Sequence, residues 1–264
     1  MTTRPRLLAL LTLLLLVSPL AVARALAWPA SLMEVMSRDA RKLLPRSLAR
    51  LFAEREKEML EEARRFPPSL SQPLWADLQQ GRLQPETLAA LDSQAAAAVE
   101  LFRKGRVSDG VLHLGALLRI PADVSDPVLS VGPEGYPPGL IREYYAFIEA
   151  NREKIPLVLD DEAALRLRRK ELPAYWQSLL DRSRSQSPVL RIEMFHDGRV
   201  VSHRVIDYRS PVFGVASLSY SRAVTAIAAT WLALWRDSRG DVTRIPSPRP
   251  VRPQDRGPTP PEAP

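Results

Sequence analysis

Apolar residues recur along this chain mainly at three- and four-residue intervals, the period that lines up side chains on one face of a helix. Leu32, Val35, Met36, Ala40, Leu43 and Leu44 form the first stripe, interrupted at Pro45. Leu48, Leu51, Phe52 and Met59 continue it on a second segment, whose opposite face is dense in Arg and Glu and therefore faces water. Phe66-Pro67-Pro68 ends that segment, and residues 69–80, with Trp75 and Asp77, read as a loop or short helix. Pro85-Glu86-Thr87 suits a first helical turn, because proline gives up no needed N–H there and an acid complements the dipole. The four-alanine run that follows favours close helix–helix approach, Gly105 breaks the helix, and Ser108 or Asp109 can cap the next.

That next helix leads into the stretch 112–129, where Leu114, Leu117, Leu118 and Ile120 share an inward face and Pro121 is expected to stop or kink the helix. Arg119 and Asp123 stand four residues apart, and local spacing makes them either a solvated surface pair, the commoner case on helix surfaces, or part of a site. Gly and Pro make 132–139 a loop. A helix follows from Ile141 to Lys154, with Tyr144, Tyr145, Phe147 and Ile148 inward, and one or two more from Asp160 to Leu180, divided near Pro173. Past Ser183–Pro188 the period changes. Val189–Phe195 and Val200–Tyr208 flank Asp197-Gly198, the signal of a β-hairpin spanning about 189–208. Pro211 to Trp235 returns to a long apolar helix, with Trp231 and Trp235 in the core or at its rim.

The two ends differ from this middle. Arg4 and Arg6, the apolar run Leu7–Val17 and the small residues Ala25-Leu26-Ala27 have the form of a secretory signal cleaved before Trp28; an uncleaved membrane anchor is the competing reading. The last residues, 237–264, are rich in proline with scattered arginine, which predicts a disordered or polyproline-like tail. The expected architecture is therefore a mostly α multi-helix bundle over 28–236 with a small hairpin insertion, exported to the periplasm, cell envelope or exterior, with no transmembrane segment after cleavage.

Charge and chemistry narrow the possibilities. The chain has a formal charge of +7, of which the first 27 residues contribute three arginines, and it has no long Lys/Arg block interleaved with aromatics of the kind a nucleic-acid groove favours. Cysteine is absent, which excludes disulfides, thiolate nucleophiles and thiolate metal sites. Only His113, His196 and His203 supply imidazole, so a histidine-rich metal cluster or His-dependent triad is not indicated. The positions of His196 and His203 suit exposed or half-buried structural roles.

Three features together carry a resemblance. They are a small-residue cleavage site directly before Trp28, the run Leu114-Gly115-Ala116-Leu117-Leu118-Arg119-Ile120-Pro121-Ala122-Asp123-Val124-Ser125-Asp126-Pro127, and the later Tyr145-Ala146-Phe147-Ile148-Glu149. In that order they resemble the zinc-dependent phospholipase C superfamily, which includes the single-strand-specific nucleases. The resemblance implies a secreted helical bundle holding a zinc cluster, with a starting Trp that binds zinc through its amino group and carbonyl. It further implies a central helix of the form Leu-Gly-x-x-Leu-His-x-x-x-Asp-x-x-x-Pro-x-His and a later His-x-x-x-Glu. Trp28, Asp123 and Glu149 match as residual metal ligands. Arg119, Leu129 and Tyr145 stand where the three histidines would be, and Leu32 or Met33 where an early one would fall. Asp77 is a remote further candidate.

Three functions follow. The first is a catalytically degenerate relative without cofactor, acting by binding or structural support, with Arg119 in place of a metal cation beside Asp123 and Glu149. The second is an active zinc-dependent phosphodiesterase with a reduced site, cleaving phospholipid or single-stranded nucleic acid. The third, independent of the family, is a cell-envelope helical interaction module with a proline-rich tail.

Overall fold

The computed structural model describes residues 28–131, 135–159 and 161–242. The expected signal segment and most of the proline-rich tail lie outside the described residues. Within them the chain is mostly helical, and the only sheet is a pair of two-residue strands.

The first layer comprises α1 (Ala30–Arg41), α2 (Arg46–Glu54), α3 (Glu56–Arg64) and α4 (Pro68–Gln80). Residues 69–80, expected as a loop or short helix, thus form three turns of helix, opened by Pro68 and closed by Gly81 at φ 75°, a left-handed geometry that glycine adopts without strain. Helices α5 (Pro85–Arg103) and α6 (Val107–Leu117) pack on this layer. Neither Ser108 nor Asp109 caps α6; Arg106 precedes it and pairs with Asp109 at 2.7 Å. Gly115 of α6 meets the backbone of α3, where a Cβ would stand 2.5 Å from the Met59 carbonyl oxygen.

The chain then makes one short helix, α7 (Arg119–Val124), and after the loop the helix α8 (Leu140–Asn151). Pro121 does not stop the helical path. The break falls earlier, at Leu118, whose N–H bonds the Gly115 carbonyl, and Pro121 sits in the first turn of α7, where its missing N–H is not required. Two 3₁₀ turns, Glu162–Arg166 and Arg169–Glu171, lead into α9 (Leu172–Met194), with Pro173 in its first turn.

Helix α9 is the main correction to the expected hairpin. It continues through Pro188 to Met194, so Val189–Phe195 is not a strand, and only β1 (Phe195–His196) and β2 (Arg199–Val200) pair around Asp197-Gly198. Val200–Tyr208 is mostly irregular, with His203 in a 3₁₀ turn. The reason is tertiary. Ser183, Ser187, Leu190 and Met194 are all buried at helical spacing, and the two serines donate to the carbonyls of Val124 (2.9 Å) and Pro127 (2.6 Å). The helix is thereby tied to the segment after α7.

The last helix, α10 (Pro211–Asp237), starts with Ser210 accepting from the Phe213 N–H and runs through the centre of the bundle. It is long and apolar enough to cross a membrane, but most of that surface is buried against the rest of the chain. Trp231 is fully buried, donates to the Leu114 carbonyl at 2.9 Å and stacks edge-on with Phe52; Trp235 sits at the rim. The Trp235 indole donates to the Asp241 carbonyl, folding residues 238–242 back on the helix end.

Candidate functional site

Five separate segments build one groove of about 1010 Å³: the start of α1 with the two residues before it, Arg64 at the end of α3, the second half of α4, α7 with the turn after it, and α8 with the loop that precedes it. Trp28 is locked at one wall. It is 3% exposed, its indole N–H donates to the Ala122 carbonyl of α7 at 2.9 Å, and its ring lies 5.5 Å from that of Tyr145 on α8. The residue before α1 is thus fastened to both helices that carry the resemblance.

Arg119 and Asp123 occupy one face of α7, as their spacing requires, but that face is turned inward. Their side chains are 19% and 8% exposed, so the solvated-pair expectation fails. Arg119 Nε donates to Asp123 Oδ2 at 2.9 Å, while Asp123 Oδ1 is buried with no hydrogen-bond partner. Burial pushes the Asp123 carboxyl pKa up and the Arg119 charge opposes that rise; the carboxylate in turn holds the guanidinium charged. Three residues on, Asp126 is also buried. Its Oδ2 accepts from the Tyr145 hydroxyl at 2.6 Å and its Oδ1 from the Val128 N–H at 3.0 Å. Desolvation outweighs both hydrogen bonds and raises its pKa to about 8.

The positions singled out from sequence converge. Trp28, Arg119, Leu129, Tyr145 and Glu149 all line the groove, and Asp123 lies behind Arg119. Glu149 accepts from the Ser31 hydroxyl. Met33 lines the groove as well, whereas Leu32 is fully buried. Asp77 is elsewhere: it is buried and accepts the Gln84 N–H at 2.8 Å, shaping the turn between α4 and α5. Of the histidines, His196 is exposed, and His203 is half-buried with Nδ1 2.7 Å from Glu143.

Several groove residues were not read from sequence. Asp126 stood inside the matched run without an assigned role, and Trp75, Gln79 and Tyr136 belong to segments read as connections. Trp75 lines the groove with its Nε1 buried and unpartnered. Gln79 donates to the Leu129 carbonyl at 2.8 Å and braces the turn after α7, while the Tyr136 hydroxyl donates to the Ser187 carbonyl at 2.9 Å and ties the loop before α8 to α9. The available sign was the Gly/Pro-rich loop 132–139 between two helices of the matched run, where binding residues often gather.

This donor set suits a zinc ion poorly. Asp126 has both oxygens hydrogen-bonded and Asp123 gives Oδ2 to Arg119, which leaves Asp123 Oδ1 as the one open oxygen of the two carboxylates; Leu129 and Tyr145 offer no imidazole, and Arg119 brings a cation into the space. Among the described residues no group of three or more His, Cys, Asp or Glu side chains is placed to hold a metal. Comparison with known protein families, curated proteins and solved structures finds no match to the chain.

Proposed function

We propose that the chain is an exported, non-catalytic relative of the zinc-dependent phospholipase C superfamily that works by binding at a groove where its relatives hold metal. The observation that supports this most is the burial of the Arg119–Asp123 pair at a groove also lined by Trp28, Leu129, Tyr145 and Glu149. Residues separated by more than a hundred positions meet there, as the resemblance implies. The chemistry at the shared point is different. A fixed guanidinium compensates a buried carboxylate that would otherwise be costly, so the site keeps its shape without an added cation.

Binding is the function this groove supports best, because its walls set apolar and aromatic surface around the Arg119 guanidinium, and its carboxylate, Glu149, already accepts from the Ser31 hydroxyl. The test is metal content and turnover of the exported chain purified without added metal. The expected result is zinc well below one ion per chain, and no hydrolysis of phosphatidylcholine or single-stranded DNA with or without supplied zinc. Stoichiometric zinc retained through mild chelation, or turnover that disappears in Asp123→Ala, would overturn the proposal.

A further inference from the structure

We infer that the groove binds a small amphiphilic monoanion, a carboxylate carried on an apolar body; the inference rests on the metal-free reading above and names the ligand of that same site. Three observations carry it. Arg119 lines the groove and spends only Nε on Asp123; neither of its Nη atoms makes a hydrogen bond among the described residues. A guanidinium held rigidly by one edge, with its terminal nitrogens uncommitted, presents two parallel N–H donors at the spacing of a carboxylate. The aim is set in advance, because Asp123 is fixed on the same helical face and burial prevents the pair from swinging out.

The walls supply the second observation. Trp28, Met33, Trp75, Val128, Ile141 and Tyr145 enclose the groove with apolar and aromatic surface, which a fully hydrated ion cannot use but an acyl chain or aryl ring can. The Trp75 Nε1 is buried without a partner behind the same wall, so the ring offers the groove an apolar face.

Charge is the third. The groove is lined by Arg64, Arg119 and Arg142 against the single acid Glu149. Asp123 stands behind Arg119, while Glu143, next to Arg142, is committed mainly to the His203 N–H and ring. Arg142 also donates to Glu143 Oε1 at 3.3 Å, so the groove is close to balanced as a whole and the guanidinium edge open to a ligand is that of Arg119. Its two uncommitted Nη atoms match one carboxylate and leave the second charge of a phosphate monoester without a partner.

Decanoate, titrated below its micelle concentration, is the probe. Binding is followed by calorimetry and by tryptophan fluorescence, which reports on Trp28 and Trp75. The expected result is saturable 1:1 binding of decanoate, with 1-decanol and acetate each at least about tenfold weaker, since each lacks one half of the recognised chemistry. The paired change Arg119→Gln with Asp123→Asn leaves no unpaired buried charge and is expected to weaken decanoate about tenfold or more. Ala146→Trp, which fills the groove while keeping Arg119, is expected to abolish binding. Equal binding of decanol, tighter binding of decyl phosphate, unchanged affinity in Ala146→Trp, or no saturable decanoate binding would each overturn the inference. The two proposals fail separately. Metal-free protein that ignores decanoate removes this inference alone, whereas decanoate binding that vanishes on chelation removes the metal-free reading.

Discussion

Asp126 and Asp123 are neighbours in sequence with different partners. Asp126 has only neutral donors, so the protonated form is favoured in the folded chain and its pKa rises to about 8, against 3.8 for an unburied aspartate. Between those values the folded state binds a proton that the unfolded state releases. The contribution to stability is therefore complete below the unfolded value and is lost as pH rises through the folded one. Thermal denaturation is expected to show a higher midpoint at pH 5 than at pH 8.5, and Asp126→Asn, which copies the neutral acid, to flatten that slope. Glu143 acts in the opposite sense. The His203 backbone and ring lower its pKa to about 2, so its contribution is present above pH 4.5 and lost as pH falls through about 2, outside the Asp126 window at pH 5–8. Asp123 has a charged partner, and the cost of removing that partner differs from the worth of the pair. Arg119→Gln alone is expected to cost about 3 kcal/mol because it strands a buried carboxylate. Adding Asp123→Asn should recover most of that loss in urea denaturation, and a double variant no more stable than Arg119→Gln would show that the carboxylate is not the source.

At the scale of elements, close approach decides which glycines matter. Helices α3 and α6 touch at Gly115, where a Cβ would fall 2.3 Å from Met59 Cγ and 2.5 Å from the Met59 carbonyl oxygen. A carbonyl cannot rotate away without disturbing its helix, so Gly115→Ala is expected to cost about 2–3 kcal/mol. Gly214, on the exposed side of α10 with nothing within 4 Å, is the contrast: Gly214→Ala should stabilise by about 0.5–1 kcal/mol through backbone entropy. Paired denaturation curves for the two variants check both signs. Elements also differ in how well local pattern foretells them. The helical stripes of α1, α2 and α8 were legible because each buries one continuous face, and α10 because it is long and apolar, being buried on nearly all sides from Ser219 to Leu234. Val189–Met194 was misleading, since its apolar residues fit both periods, and the choice was made by Leu190 and Met194 continuing the face that Ser183 and Ser187 tether to the α7 segment.

For the whole molecule, the proposed export and the groove meet at Trp28. A chain cut after Ala27 begins at the residue whose indole bonds Ala122 and whose ring meets Tyr145. Mass spectrometry of the exported protein is expected to give a mature start at Trp28. A mature start beyond Trp28 would remove this anchor from the groove, and Trp28→Ala should lower stability by about 3 kcal/mol through the lost ring packing and the lost indole hydrogen bond to Ala122. The groove itself belongs to this scale, because α1, α3, α4, α7 and α8 each supply only part of it.

Sequence by itself determined the helical class and the main helices, since periodicity fixes which residues share a helix face. The positions Trp28, Arg119, Asp123, Leu129, Tyr145 and Glu149 were singled out by the family resemblance, while spacing put Arg119 and Asp123 on one face. Whether that face meets water or protein is set by segments far away in the chain. Only the tertiary structure therefore buried the Arg119–Asp123 pair, gave Asp126 its Tyr145 partner, extended α9 past Pro188 and closed the walls around a guanidinium with two nitrogens left uncommitted.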